Sequence, residues 1–119
     1  MKQGDIYLAN LDPSTGSEQN ETRPIVIISG NTMIDNYNIV IACPLSSVIK
    51  NLLGCVILKP DSKNNLSKES EVITFQIRAV SKKRLLKKIG EISEKELLSI
   101  KIGLNDILRS EERRVGKEC

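Results

Sequence analysis

Leu11-Asp12-Pro13-Ser14-Thr15-Gly16-Ser17-Glu18-Gln19-Asn20-Glu21-Thr22-Arg23-Pro24-Ile25-Val26-Ile27-Ile28-Ser29 is the stretch on which the fold turns. Its second part, Pro24 to Ser29, is a nearly unbroken run of branched apolar side chains, the pattern of a strand covered on both faces. A barrel core on one side, and a helix or second subunit on the other, would supply that cover. Its first part is turn-forming, hydroxyl-rich and acidic, too long for a tight hairpin, and ordered loops of that length in small domains tend to carry function. Pro24 joins the two. It has no N–H and a fixed φ, so it suits the first position of a strand, and it drives Arg23 into an extended conformation at the strand mouth. An arginine held there presents a planar fork of donors that matches phosphate. The same side chain could instead pair with Asp12, Glu18 or Glu21 and only pin the loop.

Working outward, Asp5 to Leu11 alternates loosely and predicts a first strand with Ile6, Leu8 and Leu11 to one side. Asn31 to Tyr37 is polar and reads as irregular. Ile39-Val40-Ile41-Ala42-Cys43 repeats the buried-strand signature, with Pro44 expected to end it and Leu45 to Asn51 expected as a second loop. Gly54 to Leu58 is a fourth strand, and Pro60 to Asn65 a turn cluster. Glu71 to Phe75 and Gln76 to Val80 read as two strands or one bent one. Ser81 to Lys88, with Lys82, Lys83, Arg84, Lys87 and Lys88, reads as a solvated basic face. Ser93-Glu94-Lys95-Glu96 is a capping box that starts a helix. Leu97, Ile100, Leu104, Ile107 and Leu108 form its apolar stripe, and Gly103 within it signals close packing. Six short strands and one terminal helix predict a mainly β fold, a small SH3-like barrel.

The 119 residues suffice for one domain, and the net charge of +3 permits a polyanionic partner without requiring one. There is no histidine, which removes the commonest general base, the imidazole metal ligand and every Ser/His or Cys/His pair. Three cysteines without paired spacing argue against a disulfide framework, and Cys43 and Cys55 sit in apolar runs as buried thiols. No apolar stretch approaches the ~20 residues of a membrane span, so a cytoplasmic location with no membrane partner is expected. The three aromatic residues, Tyr7, Tyr37 and Phe75, are too few for a broad base-stacking platform.

Gly4-Asp5-Ile6-Tyr7, Leu11-Asp12-Pro13, Gly16-Ser17-Glu18-Gln19 and Arg23-Pro24 before β-branched residues recur in one order at close spacing. This series resembles the MazF/PemK toxins, and a weaker likeness continues to about Leu108. The resemblance implies a CcdB/PemK-like barrel that forms a homodimer and cuts single-stranded RNA. It implies neither metal nor other cofactor. It also implies an antitoxin partner whose acidic, disordered C-terminal arm mimics the RNA.

In that family the catalytic pair is an arginine before the proline of the second strand and a threonine after the third. The first falls on Arg23 and the second on Ser46, with Ser47 available if the register shifts by one. Serine keeps the hydroxyl but loses the methyl that restricts χ1. As substrate-binding groups the resemblance implies Glu18 and Gln19 in the loop, and Gln76 and Arg78 in a Gln-Ile-Arg motif. The acidic residue that precedes this motif in many relatives is Phe75 here. A CcdB-like gyrase poison and a catalytically inactive relative are the alternatives. Against the first stands the absence of tryptophan.

Residues 109 to 119 show no apolar periodicity and can be back-translated into a sequencing-library adapter. They are expected to be a read-through tail outside a toxin domain of residues 1 to 108.

Overall fold

In the computed structural model, residues 1–11 and 22–109 are described. Seven strands form one antiparallel sheet: β1 Asp5–Asn10, β2 Thr22–Ile27, β3 Ile39–Ser46, β4 Val56–Leu58, β5 Ser70–Val72, β6 Arg78–Ser81 and β7 Leu85–Glu91. Helix α1 spans Asn31–Asn36 and α2 Glu94–Leu108, and one-turn 3-10 helices occupy Thr74–Gln76 and Lys82–Arg84. The strand order is β4-β5-β3-β2-β1-β7, with β6 paired to the other part of β3. A mainly β, barrel-like fold with a C-terminal helix is therefore present, though among the described residues no ladder joins β4 to β7. The turn after β4 spans that gap instead: Lys63 O accepts the Glu91 N–H at 3.1 Å and Asn65 Nδ2 donates to Ile89 O at 2.9 Å. A Cβ at Gly90 would collide with Lys63 O, so only glycine lets the turn lie this close.

β2 is covered on both faces, as its unbroken apolar run requires. Val26 and Ile28 join Ile6, Cys43, Leu58, Ile100 and Leu104 in one cluster, while Ile25 and Ile27 join Ala9, Ile34, Val40 and Val80 in another. α2 closes the first and α1, through Ile34, part of the second. Each fully buried aliphatic side chain contributes about 1.5–3 kcal/mol, and Ile100, 0% exposed, is the point where truncation would loosen α2 most. The capping box forms as expected: Ser93 Oγ accepts the Glu96 N–H at 3.1 Å and Glu96 Oε1 accepts the Ser93 N–H at 2.9 Å. Gly103 does mark close packing, because a Cβ there would clash with the Gly54 carbonyl. The stripe ends earlier than expected, since Ile107 and Leu108 are exposed.

Four further expectations are corrected. Asn31–Asn36 is helical rather than irregular, closed by Ile34 N–H to Gly30 O at 3.1 Å and pinned by buried Ile34. Pro44 does not end β3, which runs to Ser46. The missing N–H falls where β3 leaves β6, last paired at Ala42, for β5, first paired at Leu45, while Pro44 O still accepts the Ile73 N–H at 2.9 Å. The basic run is not merely a solvated face: Lys82–Arg84 form a 3-10 turn, and Leu85 to Lys88 begin the edge strand β7, whose exposed Lys87 and Lys88 discourage further strand pairing. β1, by contrast, alternates as expected: its register with β2 is unbroken, so Ile6 and Leu8 share the face of the first cluster while Tyr7 and Ala9 face the second, and the extra residues at the two shifts in the β1–β7 ladder, Ile89 and Leu86, lie on β7. Across Glu71 to Val80 the chain forms two strands rather than one bent one, but they are β5 and β6, shorter than expected because the 3-10 turn Thr74–Gln76 takes up the middle.

Candidate active site

Arg23 pairs with Ala9 of β1 and lies beyond the last β2–β3 pair, Ile25 with Pro44. Continuing that register by two residues sets Arg23 across from Ser46, the last residue of β3. Both are half-buried. Together with Val48 they line two adjoining recesses, one of about 420 Å³ and one of about 180 Å³. Arg23 and Ser46 thus form the saddle between two hollows. The larger is completed by Ser47, Leu66, Ser67, Lys68 and Ser70, the smaller by Lys50, Leu52, Ile73, Phe75 and Gln76.

Of the residues singled out in the sequence, Arg23 and Ser46 meet, Ser47 joins the larger recess and Gln76 the smaller. Arg78 lines neither; it is exposed on β6 opposite Ala42. Glu18 and Gln19, like Asp12 and Glu21, lie outside the described residues. Among the described residues Arg23 has no ion-pair partner. Ser46 Oγ accepts the Val48 N–H at 3.1 Å and donates to Val48 O over a long 3.3 Å. Ser46 therefore closes a local turn and also borders both recesses. The long donor bond is weak enough to be exchanged for a charged acceptor.

Three groups escaped the sequence reading. Lys68 lines the larger recess and Lys50 the smaller, and Glu71 positions the backbone of Lys50. Glu71 is fully buried, and its Oε1 and Oε2 accept the N–H groups of Lys50 and Leu52, each at 2.8 Å. Thr74 Oγ1 donates to Gly54 O at 2.8 Å and fixes the other end of the same loop. The available signal was a carboxylate inside an apolar strand, where burial demands partners. Cys43 is no nucleophile. Burial, aided by the neighbouring Cys55 thiol, pushes its pKa up to about 12, so it stays a neutral thiol. Cys55 is only half-buried, in contrast to the expectation of two buried thiols. Among the described residues no group of three or more Cys, Asp or Glu side chains could hold a metal ion.

A model of the PemK-like, MazF-like toxins of type II toxin-antitoxin systems matches residues 2–108. The chain belongs to this family. Endoribonuclease MazF of Staphylococcus epidermidis is 34% identical over 114 residues, covering 89% of this chain and 94% of that one. MazF from Deinococcus radiodurans shares the fold at a TM-score of 0.75 and 22% identity, over 92% of this chain and 97% of that one. A mycobacterial endoribonuclease in complex with its cognate antitoxin does so at 0.74 and 21%, over 91% and 94%. Within a MazF-like toxin, the saddle of Arg23 and Ser46 lies where β2 and β3 end together. No helix described is long and apolar enough to cross a membrane.

Proposed function

We propose that this MazF-like toxin is an endoribonuclease that cuts single-stranded RNA at the saddle between Arg23 and Ser46. The ribose 2′-OH gives its proton to solvent water and attacks the adjacent phosphorus, the P–O5′ bond breaks, the departing 5′-oxygen takes a proton from water, and the products are a 2′,3′-cyclic phosphate and a free 5′-OH. The nucleophile is internal to the substrate, so the protein supplies in-line positioning and charge stabilisation. Arg23, always protonated, offsets the charge of the pentacovalent phosphorane and hydrogen-bonds the departing 5′-oxygen without giving up its proton. Ser46 turns its hydroxyl from Val48 O to a non-bridging oxygen, and Ser47 supports the same phosphate. Lys68 and Lys50 hold flanking phosphates, Gln76 meets the substrate in the smaller recess, and Glu18 and Gln19 bind the substrate as well. Arg78, farther along β6, contacts the strand outside the recesses. No metal takes part, so EDTA leaves the rate unchanged.

One observation carries this reading: two residues from different strands, one cationic and one hydroxylic, border both hollows. In the cell the toxin domain, residues 1–108, is cytoplasmic, homodimeric and silenced by an antitoxin whose acidic disordered arm occupies the cationic recesses. The test is Arg23→Ala. The expected loss in kcat on single-stranded RNA is roughly 10²–10³-fold with the melting temperature unchanged, while Ser46→Thr stays active. Cleavage by the Arg23→Ala protein at the wild-type rate would sink the mechanism.

A further inference from the structure

Phe75 stands half in water, 52% exposed, on the rim of the smaller recess beside Arg23 and Ser46. Leaving an aromatic ring so exposed forgoes much of the stabilisation its burial would give. The ring also stands on a fixed platform. Gln76 N–H bonds Ile73 O and Ile77 N–H bonds Thr74 O, each at 3.1 Å, while Ile73 N–H bonds Pro44 O at 2.9 Å, beside the saddle. Fully buried Thr74 anchors the turn to Gly54. The recess beneath holds Arg23 and Lys50 and no carboxylate among its described lining. At about 180 Å³ it falls below the ~300 Å³ of typical small-ligand pockets, which suits one planar group rather than a whole ligand. A cationic floor with one aromatic wall fits a polyanion carrying flat apolar faces.

On the reading that this saddle cuts RNA, we infer that Phe75 stacks on the unpaired base of a nucleotide flanking the scissile phosphate. Gln76, next to it, offers an amide to that base's edge. The site then selects single strands, because a base inside a duplex has no free face.

Stacking that is equal in ground and transition states acts on KM and leaves kcat alone. Phe75→Leu, which keeps the bulk and removes the π face, is expected to raise KM about tenfold on a short RNA that the wild type cuts. Phe75→Trp introduces the chain's single tryptophan. Its emission should be quenched by the same oligomer blocked with 2′-O-methyl riboses, and not by a version abasic at the flanking position. An unchanged KM in Phe75→Leu, or an unquenched Trp, overturns the inference. So does a Phe75→Leu protein that sediments as a smaller species, for the ring would then be covered by a second copy of the chain. A wild type that cuts RNA while Phe75→Leu matches it removes only the stacking, whereas a wild type that cuts none overturns both.

Discussion

Among the described residues two carboxylates are sequestered, and they are stabilised in opposite ways. Asp5 begins β1 at the end far from the recesses; its Oδ2 accepts the Lys2 N–H at 2.9 Å, and its Oδ1 lies 3.3 Å from Lys88 Nζ. That second contact is ionic rather than directional, since Oδ1 lacks a well-aligned hydrogen bond. Glu71 has no ion-pair partner among the described residues and gives both oxygens to backbone N–H groups of one loop. Asp5 joins two strands already paired along their length. Glu71 shapes a segment that has no ladder to hold it, and that segment carries Lys50 to the site. The difference shows where the chain relies on charge: at the sheet edge as a supplement, at the recess as the framework.

Glu71→Val breaks the comparison most severely. It leaves two N–H groups without acceptors and is expected to cost about 2–4 kcal/mol in denaturant unfolding, with a loss of RNA affinity as Lys50 moves. A Glu71→Val protein as stable as wild type would show that the loop holds itself. Asp5→Asn retains an acceptor for the Lys2 N–H and gives up the pairing with half-exposed Lys88. A change of about 1 kcal/mol is expected, with cleavage untouched; any drop in kcat would mean that the two ends of the sheet are coupled.

The smallest effect belongs to Lys2 and Glu91, an exposed pair 3.0 Å apart. The Lys2 hydrogen bond and then its charge lower the Glu91 pKa below 4.5, so the pair adds stability above the ordinary carboxylate range and gives it up as pH falls through the lowered value. Lys2→Ala should lower the melting temperature at pH 7 only slightly, as for any exposed pair, while NMR shows Glu91 titrating nearer 4.5. A Glu91 titration that stays put would place the cause elsewhere.

Several features were legible because their signals are local. The doubly covered β2 shows as six consecutive residues with hardly a polar break, the α2 start as Ser93 three residues before Glu96, and the tight contact at α2 as one glycine in an apolar stripe. The extended arginine before Pro24 needs only proline's own sterics. The failures share a cause too. β7 was hidden because a lysine-bearing edge strand shows no alternation, and α1 because a six-residue helix with one buried side chain has too few turns to display a period. Pro44 misled because its cost depends on whether a partner strand needs its N–H, and a gap in the ladder happens to fall there.

The sequence by itself determined the strand mouth, the cap and the apolar runs, together with a series of motifs specific enough to name the family. Only the tertiary structure decided that Arg23 and Ser46 share a saddle, that Lys50 and Lys68 flank it, and that Glu71 holds the loop. Caps and periods are written within a few neighbouring residues. Which ends of distant strands coincide depends on inter-strand register, and that is set by packing over the whole sheet.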